Sequence, residues 1–226
     1  MSKKEQVPLP FPARRKQTLA NFLGAGNDEL IARLGRAQSG FACLWLHGSA
    51  GAGKSHLLHA AVDAQRGYGR SCTLVDLRAA QLPETADEDD VLALDHLEPE
   101  ALSHDQEQRL VALYQALRVR GGWLLVASSS SPLAGEWRLA DLASRLKAAQ
   151  TYTVEPLNEK QVRALLARQA RERGLDLPKA VVDYWLTRRD RALPALLDDL
   201  ERLDRAAWVE QRRLTVPFMK GVLEAS

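Results

Sequence analysis

The sequence predicts an α/β fold in which a parallel β-sheet carries helices on both faces and a small all-helical part follows. Apolar runs typical of strands alternate with helical patterns between residues 41 and 157, which is the order of a parallel sheet with crossover helices. After Leu157 only helical patterns recur. Hydrophobic residues make up 46% and charged residues 27%, which are globular proportions, so the chain can bury the core that such a fold needs.

Five segments are predicted to form the sheet, because each is a short apolar run that ends in polar or turn-forming residues. They are residues 41–48, 71–77, 91–95, 123–128 and 151–157. The first two are expected to be buried strands. Helices between the strands are predicted from apolar residues at helical spacing. They cover residues 28–37, 54–65, 105–120 and 139–148, and the acidic segment 84–90 is predicted to be a solvated connector.

The all-helical part is predicted to contain four helices. They begin near Asn158, Pro178, Leu193 and Thr215. Asn158 is a typical helix-capping residue and Gly174 a typical terminator, so the first of these helices runs between them. The third has leucines at the i, i+3, i+4 and i+7 positions of one face.

A glycine-rich segment joins the first predicted strand to the next helix. It is GSAGAGKS and matches the pattern G-x-x-x-x-G-K-[ST] in full. Its glycines let the backbone curl, so that successive N–H groups face phosphate oxygens, and the following helix adds its positive end. Lys54 offers a charge to the β- and γ-phosphates, and the Ser55 hydroxyl can bind Mg²⁺. The predicted nucleotide-binding residues are Gly48, Ser49, Ala50, Gly51, Ala52, Gly53, Lys54, Ser55 and His56.

These residues and several further segments resemble the DnaA-related AAA+ family, in particular its short Hda-type regulators. GSAGAGKSHLLHA is very similar to the phosphate loop of DnaA and its continuation. TLANFLGAGN, with Phe22 and Asn27 matching, is similar to the segment that packs near adenine in that family. The other similar segments are residues 141–146, 156–178 and 212–223. The resemblance covers nearly the whole chain and implies a P-loop AAA+ core with a five-stranded parallel sheet plus a small all-helical lid domain.

Asp95 ends the apolar strand VLALD, where the AAA+ resemblance places an aspartate that holds Mg²⁺ through its water shell. Asp95 and Ser55 are therefore the predicted metal-binding residues. Hydrolytic AAA+ proteins usually continue with a second acidic residue, which orients the attacking water. Here His96 follows and is expected to lie at the surface or contact a partner, while Glu98 is expected to point elsewhere. Weak or absent intrinsic ATP hydrolysis is predicted.

Arg145 matches the arginine finger of the family, within the segment DLASRL. In AAA+ assemblies this arginine faces the nucleotide of the next subunit and neutralises charge that develops on its γ-phosphate. The resemblance implies that Arg145 enters the ATP site of DnaA and promotes hydrolysis there. The alternative is an ion pair on the surface of a helix.

Two other family positions are less well matched. The sensor 1 position falls in Ser128–Ser131, any of whose hydroxyls could contact a phosphate. The sensor 2 arginine is replaced by Pro194, and Arg191 or Arg189 could substitute for it.

The N-terminal segment QVPLPF is similar to the sliding-clamp-binding peptide of Hda proteins. The amide of Gln6 can hydrogen-bond to a clamp, while Leu9 and Phe11 fill an apolar pocket. The prolines extend the peptide in advance and lower the cost of ordering it. A proline-rich tail without function is the alternative.

Three domains are predicted from these features. They are a flexible tail with the clamp motif (1–17), the nucleotide-binding core (18–156) and the lid (157–226). No helix-turn-helix DNA-binding domain is expected after the lid, and a net charge of +2 gives no basis for a dedicated nucleic-acid binder, so DNA contact would be indirect. A cytoplasmic protein without membrane contact is predicted, since neither a signal peptide nor a long apolar run is visible.

The predicted function is negative regulation of DNA replication initiation. A nucleotide-bound adaptor, carrying ADP or ATP with Mg²⁺, would link the DNA polymerase beta sliding clamp to DnaA and stimulate hydrolysis of DnaA-bound ATP. The alternatives are a self-sufficient AAA+ ATPase such as a helicase loader acting on DNA, and a protein that tethers origin DNA. A homo-oligomer is also conceivable, because AAA+ surfaces pair head to tail.

Overall fold

The computed structural model describes residues 17–22, 24, 26–37, 39–188 and 193–224. Its strands are β1 (Ala42–His47), β2 (Cys72–Asp76), β3 (Val91–Asp95), β4 (Trp123–Ser128) and β5 (Gln150–Thr153). They form one five-stranded sheet in the order β2-β3-β4-β1-β5, and all neighbouring pairs are parallel. The predicted fold class is confirmed.

Helices pack on both faces of the sheet, and four more follow it. The first group is α1 (Asp28–Leu34), α2 (Lys54–Gly67), α3 (His104–Arg120) and α4 (Ala140–Lys147). The second group is α5 (Glu159–Glu172), α6 (Lys179–Arg188), α7 (Leu193–Glu210) and α8 (Val216–Glu224). Short 3₁₀ helices lie at Leu19–Asn21 and Pro99–Ala101.

Successive residues of β1 serve opposite faces of the sheet, as a strand dictates. Leu44 and Leu46 belong to the core that includes Leu57 of α2. Trp45 belongs to the core on the other face, which includes Leu110 of α3. Because β1 is buried on both sides and ends in the glycine-rich segment, the sheet fixes where that segment begins.

The helices after β5 enclose a core of their own around the fully buried Trp185, whose indole N–H donates to Asp199 at 3.2 Å. Asn158 caps α5 by accepting a hydrogen bond from the Gln161 backbone N–H at 3.0 Å. Thr215 caps α8 in the same way, as predicted. Among the described residues, no helix has both the length and the apolar character needed to cross a bilayer.

Two local predictions were wrong. All five residues of β2 are half-buried and not buried, because β2 is an edge strand of the sheet. The connector 84–90 is not solvated throughout, since Ala86 is buried and the Asp90 carboxylate accepts a hydrogen bond from the Ser71 backbone N–H at 3.0 Å. These contacts tie the end of the connector to the start of β2.

Candidate functional site

The glycine-rich segment, residues 48–55, is called the phosphate loop below and lies between β1 and α2. Gly48 and Gly53 have φ angles of 150° and 100°. A Cβ atom on Gly48 would lie 2.6 Å from the carbonyl oxygen of Val154, and one on Gly53 would lie 2.7 Å from the ring of Phe22. Both positions therefore require glycine, and the curl predicted from the sequence is present.

Lys54, the first residue of α2, is folded over the phosphate loop. Its ammonium group donates hydrogen bonds to the carbonyl oxygens of Gly48, at 2.6 Å, and Ser49, at 2.9 Å. Burial lowers the pKa of Lys54, and the carboxylates of Glu98 and Asp95 partly offset that change. The half-buried ammonium group is thus hydrogen-bonded only to neutral carbonyl oxygens in these two contacts. An anionic phosphate group would be a stronger partner for it than these carbonyl groups.

The segment before α1 packs on the start of α2. The ring of Phe22 lies edge-on to the ring of His56 with centroids 5.3 Å apart, and His56 Nε2 lies 3.0 Å from the carbonyl oxygen of Thr18. Burial lowers the pKa of His56. Asn27 is buried, and its side-chain oxygen accepts a hydrogen bond from the backbone N–H of Glu155 at 3.2 Å. Residues matched to the adenine-proximal segment of the family thus lie beside the phosphate loop.

Asp95 is buried at the carboxyl end of β3, and the backbone N–H of His96 donates to its carboxylate at 3.0 Å. His96 is not a free surface side chain, because its Nδ1 atom lies 3.2 Å from Asp76 and 3.3 Å from Asp95 carboxylate oxygens. Its backbone is left-handed, with φ of 57°. Hydrogen bonds from Arg78 hold the pKa of Asp76 well below its usual range. The position after Asp95 is thus held by a histidine that lies between two carboxylates, and not by an acid.

Glu98 points into the site, so the expectation that it points elsewhere was wrong. The backbone N–H of Ser129 donates to Glu98 Oε1 at 3.0 Å, and the hydroxyls of Ser128 and Ser129 donate to Oε2. The left-handed turn at His96 redirects the chain, after which the Leu97 N–H bonds to the end of β4. Ser128 and Ser129 are thus the two sensor 1 candidates that the structure connects to a carboxylate.

The first turn of α7 lies against the phosphate loop. A Cβ atom on Gly51 would lie 3.4 Å from Pro194 Cδ and 3.6 Å from the backbone nitrogen of Leu193. Pro194 therefore occupies the place over the loop that the sensor 2 register predicted. Arg189 and Arg191 lie outside the described residues, as do Gln6, Leu9 and Phe11.

Arg145 lies in the last turn of α4 and not at the phosphate loop. Its Nε donates to the carboxylate of Asp141, one turn earlier, at 2.9 Å, and its guanidinium carbon lies 5.7 Å from the centre of the Tyr114 ring. Tyr114 in turn packs on Phe41, which precedes β1. The phosphate loop begins at the other end of β1, about 20 Å away at the usual rise per residue of a strand.

The structure therefore brings the phosphate loop, Asp95, Glu98 and the sensor 1 serines together and keeps Arg145 apart. Sequence reasoning also missed Glu107 of α3, whose side chain is fully buried and contacts the start of α4. A signal was present, because Glu107 lies three and seven residues before the buried Leu110 and Tyr114, on the apolar face of α3. A charged residue on such a face is unusual and indicates a specific partner.

Part of the chain matches a known family, and the whole fold matches solved structures. Residues 158–223 match the family model of the Hda lid domain. Domain III of DnaA from Thermotoga maritima has 17% sequence identity and a TM-score of 0.73, with coverage of 95% of this chain and 98% of that one. The replication initiator DnaA bound to AMPPCP and single-stranded DNA has 20% identity and a TM-score of 0.69, with coverage of 88% and 69%.

The likeness extends to RuvB from Thermotoga maritima, at 18% identity and a TM-score of 0.66, with coverage of 93% of this chain and 72% of that one. At these identities the solved structures establish the fold alone, and the family match covers residues 158–223. The chain therefore has the fold of DnaA domain III, and its residues 158–223 match the lid domain of the Hda family.

Proposed function

We propose that this protein is a nucleotide-bound AAA+ adaptor that links the polymerase sliding clamp to DnaA and stimulates hydrolysis of DnaA-bound ATP. Its consequence would be negative regulation of replication initiation. In this proposal residues 1–17 are the clamp-binding tail, residues 18–156 the nucleotide-binding core and residues 157–226 the lid.

The position of Arg145 carries the proposal. Its contact with Tyr114 lies at the end of β1 remote from the phosphate loop, so Arg145 is badly placed to act on a nucleotide in its own chain. Its ion pair with the exposed Asp141 is an i,i+4 pair, a kind that contributes only about 0.3–0.5 kcal/mol, and 22% of the Arg145 side chain is itself exposed. Arg145 is thus available to a phosphate on another molecule, where it would offset charge developing in the transition state.

Nucleotide binding by the chain itself is supported by the phosphate loop. The glycines leave space for close approach of phosphates, Lys54 supplies a half-buried cation, and DnaA of the same fold has been solved with AMPPCP. Ser55 and Asp95 are the residues that would hold Mg²⁺ with the nucleotide. Together with the backbone groups of Gly48–His56, these residues would retain ADP or ATP as a structural ligand.

Weak intrinsic hydrolysis follows from His96. This residue lies between two carboxylates and follows Asp95 directly, where an acid would otherwise orient the attacking water. The chemistry of the proposed function would then take place mainly on the partner, with Arg145 as its catalytic contribution. Gln6, Leu9 and Phe11 would bind the clamp and bring the two proteins together on replicating DNA.

A self-sufficient AAA+ ATPase, such as a helicase loader, is the second candidate, and Glu98 is the observation that favours it. Its carboxylate lies against Ser128 and Ser129, and its charge acts on Lys54. A carboxylate so placed could orient water in the absence of an acid at position 96. Intrinsic ATP turnover with and without single-stranded DNA separates the two candidates.

The deciding experiment measures hydrolysis of DnaA-bound ATP with this protein and DNA-loaded clamp, added singly and together. We expect acceleration only when both are present. Steady ATP turnover by this protein alone, without acceleration of the DnaA reaction, would favour the second candidate and would direct attention to Glu98.

A further inference from the structure

We propose that Glu107 is a positioning residue that holds α4 in the orientation from which Arg145 acts on a partner's nucleotide. The inference rests on the proposed function, because it concerns the residue that performs the stimulation. It assigns a role to a buried carboxylate that has no part in the nucleotide site of this chain.

The environment of Glu107 is unusual for a carboxylate. Its side chain is fully buried in α3. Oε1 accepts a hydrogen bond from the backbone N–H of Arg138 at 3.1 Å, and Oε2 accepts one from the backbone N–H of Leu139 at 2.8 Å. The Arg138 guanidinium also lies 3.7 Å from Oε1. A buried carboxylate is tolerated only with such partners, so these contacts fix both oxygens.

The two donated N–H groups lie at the start of α4. Leu139 is the N-cap residue of α4, and its apolar side chain makes no capping hydrogen bond. The first N–H groups of a helix need acceptors from outside the helix, and a negative charge there is favoured by the helix dipole. Glu107 therefore binds, from α3, the N–H of the N-cap residue and the N–H of the residue before it, and so fixes the point at which α4 begins. With only eight residues, α4 depends on such tertiary support.

The same helix also supports the other end of α4. Tyr114 lies seven residues after Glu107, two turns further along α3, and its ring lies under Arg145. Leu142 and Leu146 are fully buried between these points. α3 thus holds α4 at its first residue, along its apolar face and beneath Arg145. Without the two hydrogen bonds to Glu107, the amino end of α4 would be able to move. The direction of the Arg145 side chain would then change.

An ordinary structural cap would contribute to folding stability and leave the chemistry unchanged once the protein is folded. A positioning residue makes a different prediction, because a small displacement of a charge-stabilising group lowers the rate of the step it assists. The maximal stimulated rate and the half-saturating protein concentration therefore separate the two roles.

The experiment compares Glu107→Gln with Glu136→Gln, a matched control in the loop before α4 whose side chain is exposed. Each full-length variant is titrated into DnaA–ATP with DNA-loaded clamp. In Glu107→Gln one carboxylate oxygen becomes an amide NH₂, which cannot accept a hydrogen bond, so one N–H at the start of α4 loses its partner. We expect the maximal rate to fall about tenfold with little change in half-saturating concentration, and the control to match the parent protein.

Arg145→Ala and the double variant complete the test. If Glu107 acts through Arg145, adding Glu107→Gln to Arg145→Ala causes no further loss. If Glu107→Gln does not fold by circular dichroism, Glu107→Asp, which keeps both oxygens on a shorter side chain, is measured with the same expectation.

An unchanged maximal rate in a folded Glu107 variant, or equal losses with and without Arg145, would overturn the inference while the proposed function stands. If Arg145→Ala itself leaves stimulation unchanged, the proposed arginine-finger function fails and the inference fails with it. The Arg145→Ala result alone therefore tells the two failures apart.

Discussion

The phosphate loop and the helix that carries Arg145 are built in opposite ways. The phosphate loop takes its shape from neighbours in sequence: Gly48 and Gly53 allow its curl, and Lys54 folds back on carbonyls five and six residues away. Helix α4 is instead contacted at its start by Glu107, which lies 31 and 32 residues from the two N–H groups it binds. Local contacts therefore shape the phosphate loop, whereas a tertiary contact holds the start of α4.

This difference indicates how the two regions respond to change. A substitution in the phosphate loop acts directly on ligand contacts or on backbone that only glycine can adopt. A substitution at α4 can act directly, through Arg145, or at a distance, through α3. We therefore expect the two regions to fail separately, with nucleotide binding and stimulation lost by different variants.

Arg145→Ala should have the largest effect. We expect stimulation of DnaA-bound ATP hydrolysis to fall about 10³-fold, since that is the usual worth of an arginine finger. Nucleotide binding by this protein should be unchanged. Arg205→Ala is the matched control, because Arg205 also pairs with an acid one turn earlier, Glu201. Single-turnover hydrolysis gives the rates, and undiminished stimulation by Arg145→Ala would refute the trans role.

Lys54→Ala should abolish nucleotide binding at ordinary concentrations. The lost contacts are charge-assisted, so we expect a weakening of about 100-fold or more. Calorimetric titration with ADP measures it, and Lys147→Ala, a lysine at the end of α4, serves as the control. Tight ADP binding by Lys54→Ala would remove the basis for assigning the phosphate loop.

Gly48→Ala should destabilise the fold, because the new Cβ would lie 2.6 Å from a backbone carbonyl oxygen. Strain of this kind costs about 1–3 kcal/mol. Gly67→Ala is the control, since nothing lies within 4 Å of a Cβ there and alanine favours helix. Chemical denaturation gives the free energy of unfolding of both variants. Equal values for Gly48→Ala and Gly67→Ala would show that the segment at Val154 moves away from the phosphate loop more easily than the contact suggests.

Alanine at Gln6, Leu9 and Phe11 should weaken clamp binding about tenfold or more while leaving nucleotide binding and folding intact. Stimulation by free protein at high concentration should persist, because Arg145 is unchanged. Gel filtration with the clamp and binding titrations measure the effect. Full clamp binding by this variant would place the clamp contact elsewhere in the chain.

Lowering the pH should produce the smallest effect, at the Phe22–His56 contact. Burial lowers the pKa of His56, so its neutral form contributes stability that is fully present above the pKa of unfolded histidine, about 6.5, and declines as the pH falls below it. The exposed His104 on α3 is the control, through His104→Gln. Unfolding curves between pH 7.5 and 5 should lose part of their pH dependence in His56→Gln and keep it in His104→Gln.

The sequence was sufficient for β3, β4 and the phosphate loop, whereas β5 ends at Thr153 and not at residue 157. β3 and β4 have the predicted bounds, because each is an apolar run with polar ends, and the loop pattern requires its glycines wherever it occurs. It was not sufficient for Glu98 or Glu107, whose partners lie about 30 residues away. The direction of Glu98 depends on the left-handed backbone at His96, which no periodic pattern indicates. The edge position of β2 likewise follows from strand order and not from composition.

The contacts of Gly51 with α7 and of Gly53 with Phe22 have a kinetic consequence. The loop is covered from one side by the first turn of the lid and from another by the segment before α1. For a nucleotide bound there as proposed, movement of either segment would contribute to the dissociation rate, together with the strength of the phosphate contacts. Such a ligand would have a long residence time, and one loading event would serve many encounters with a partner.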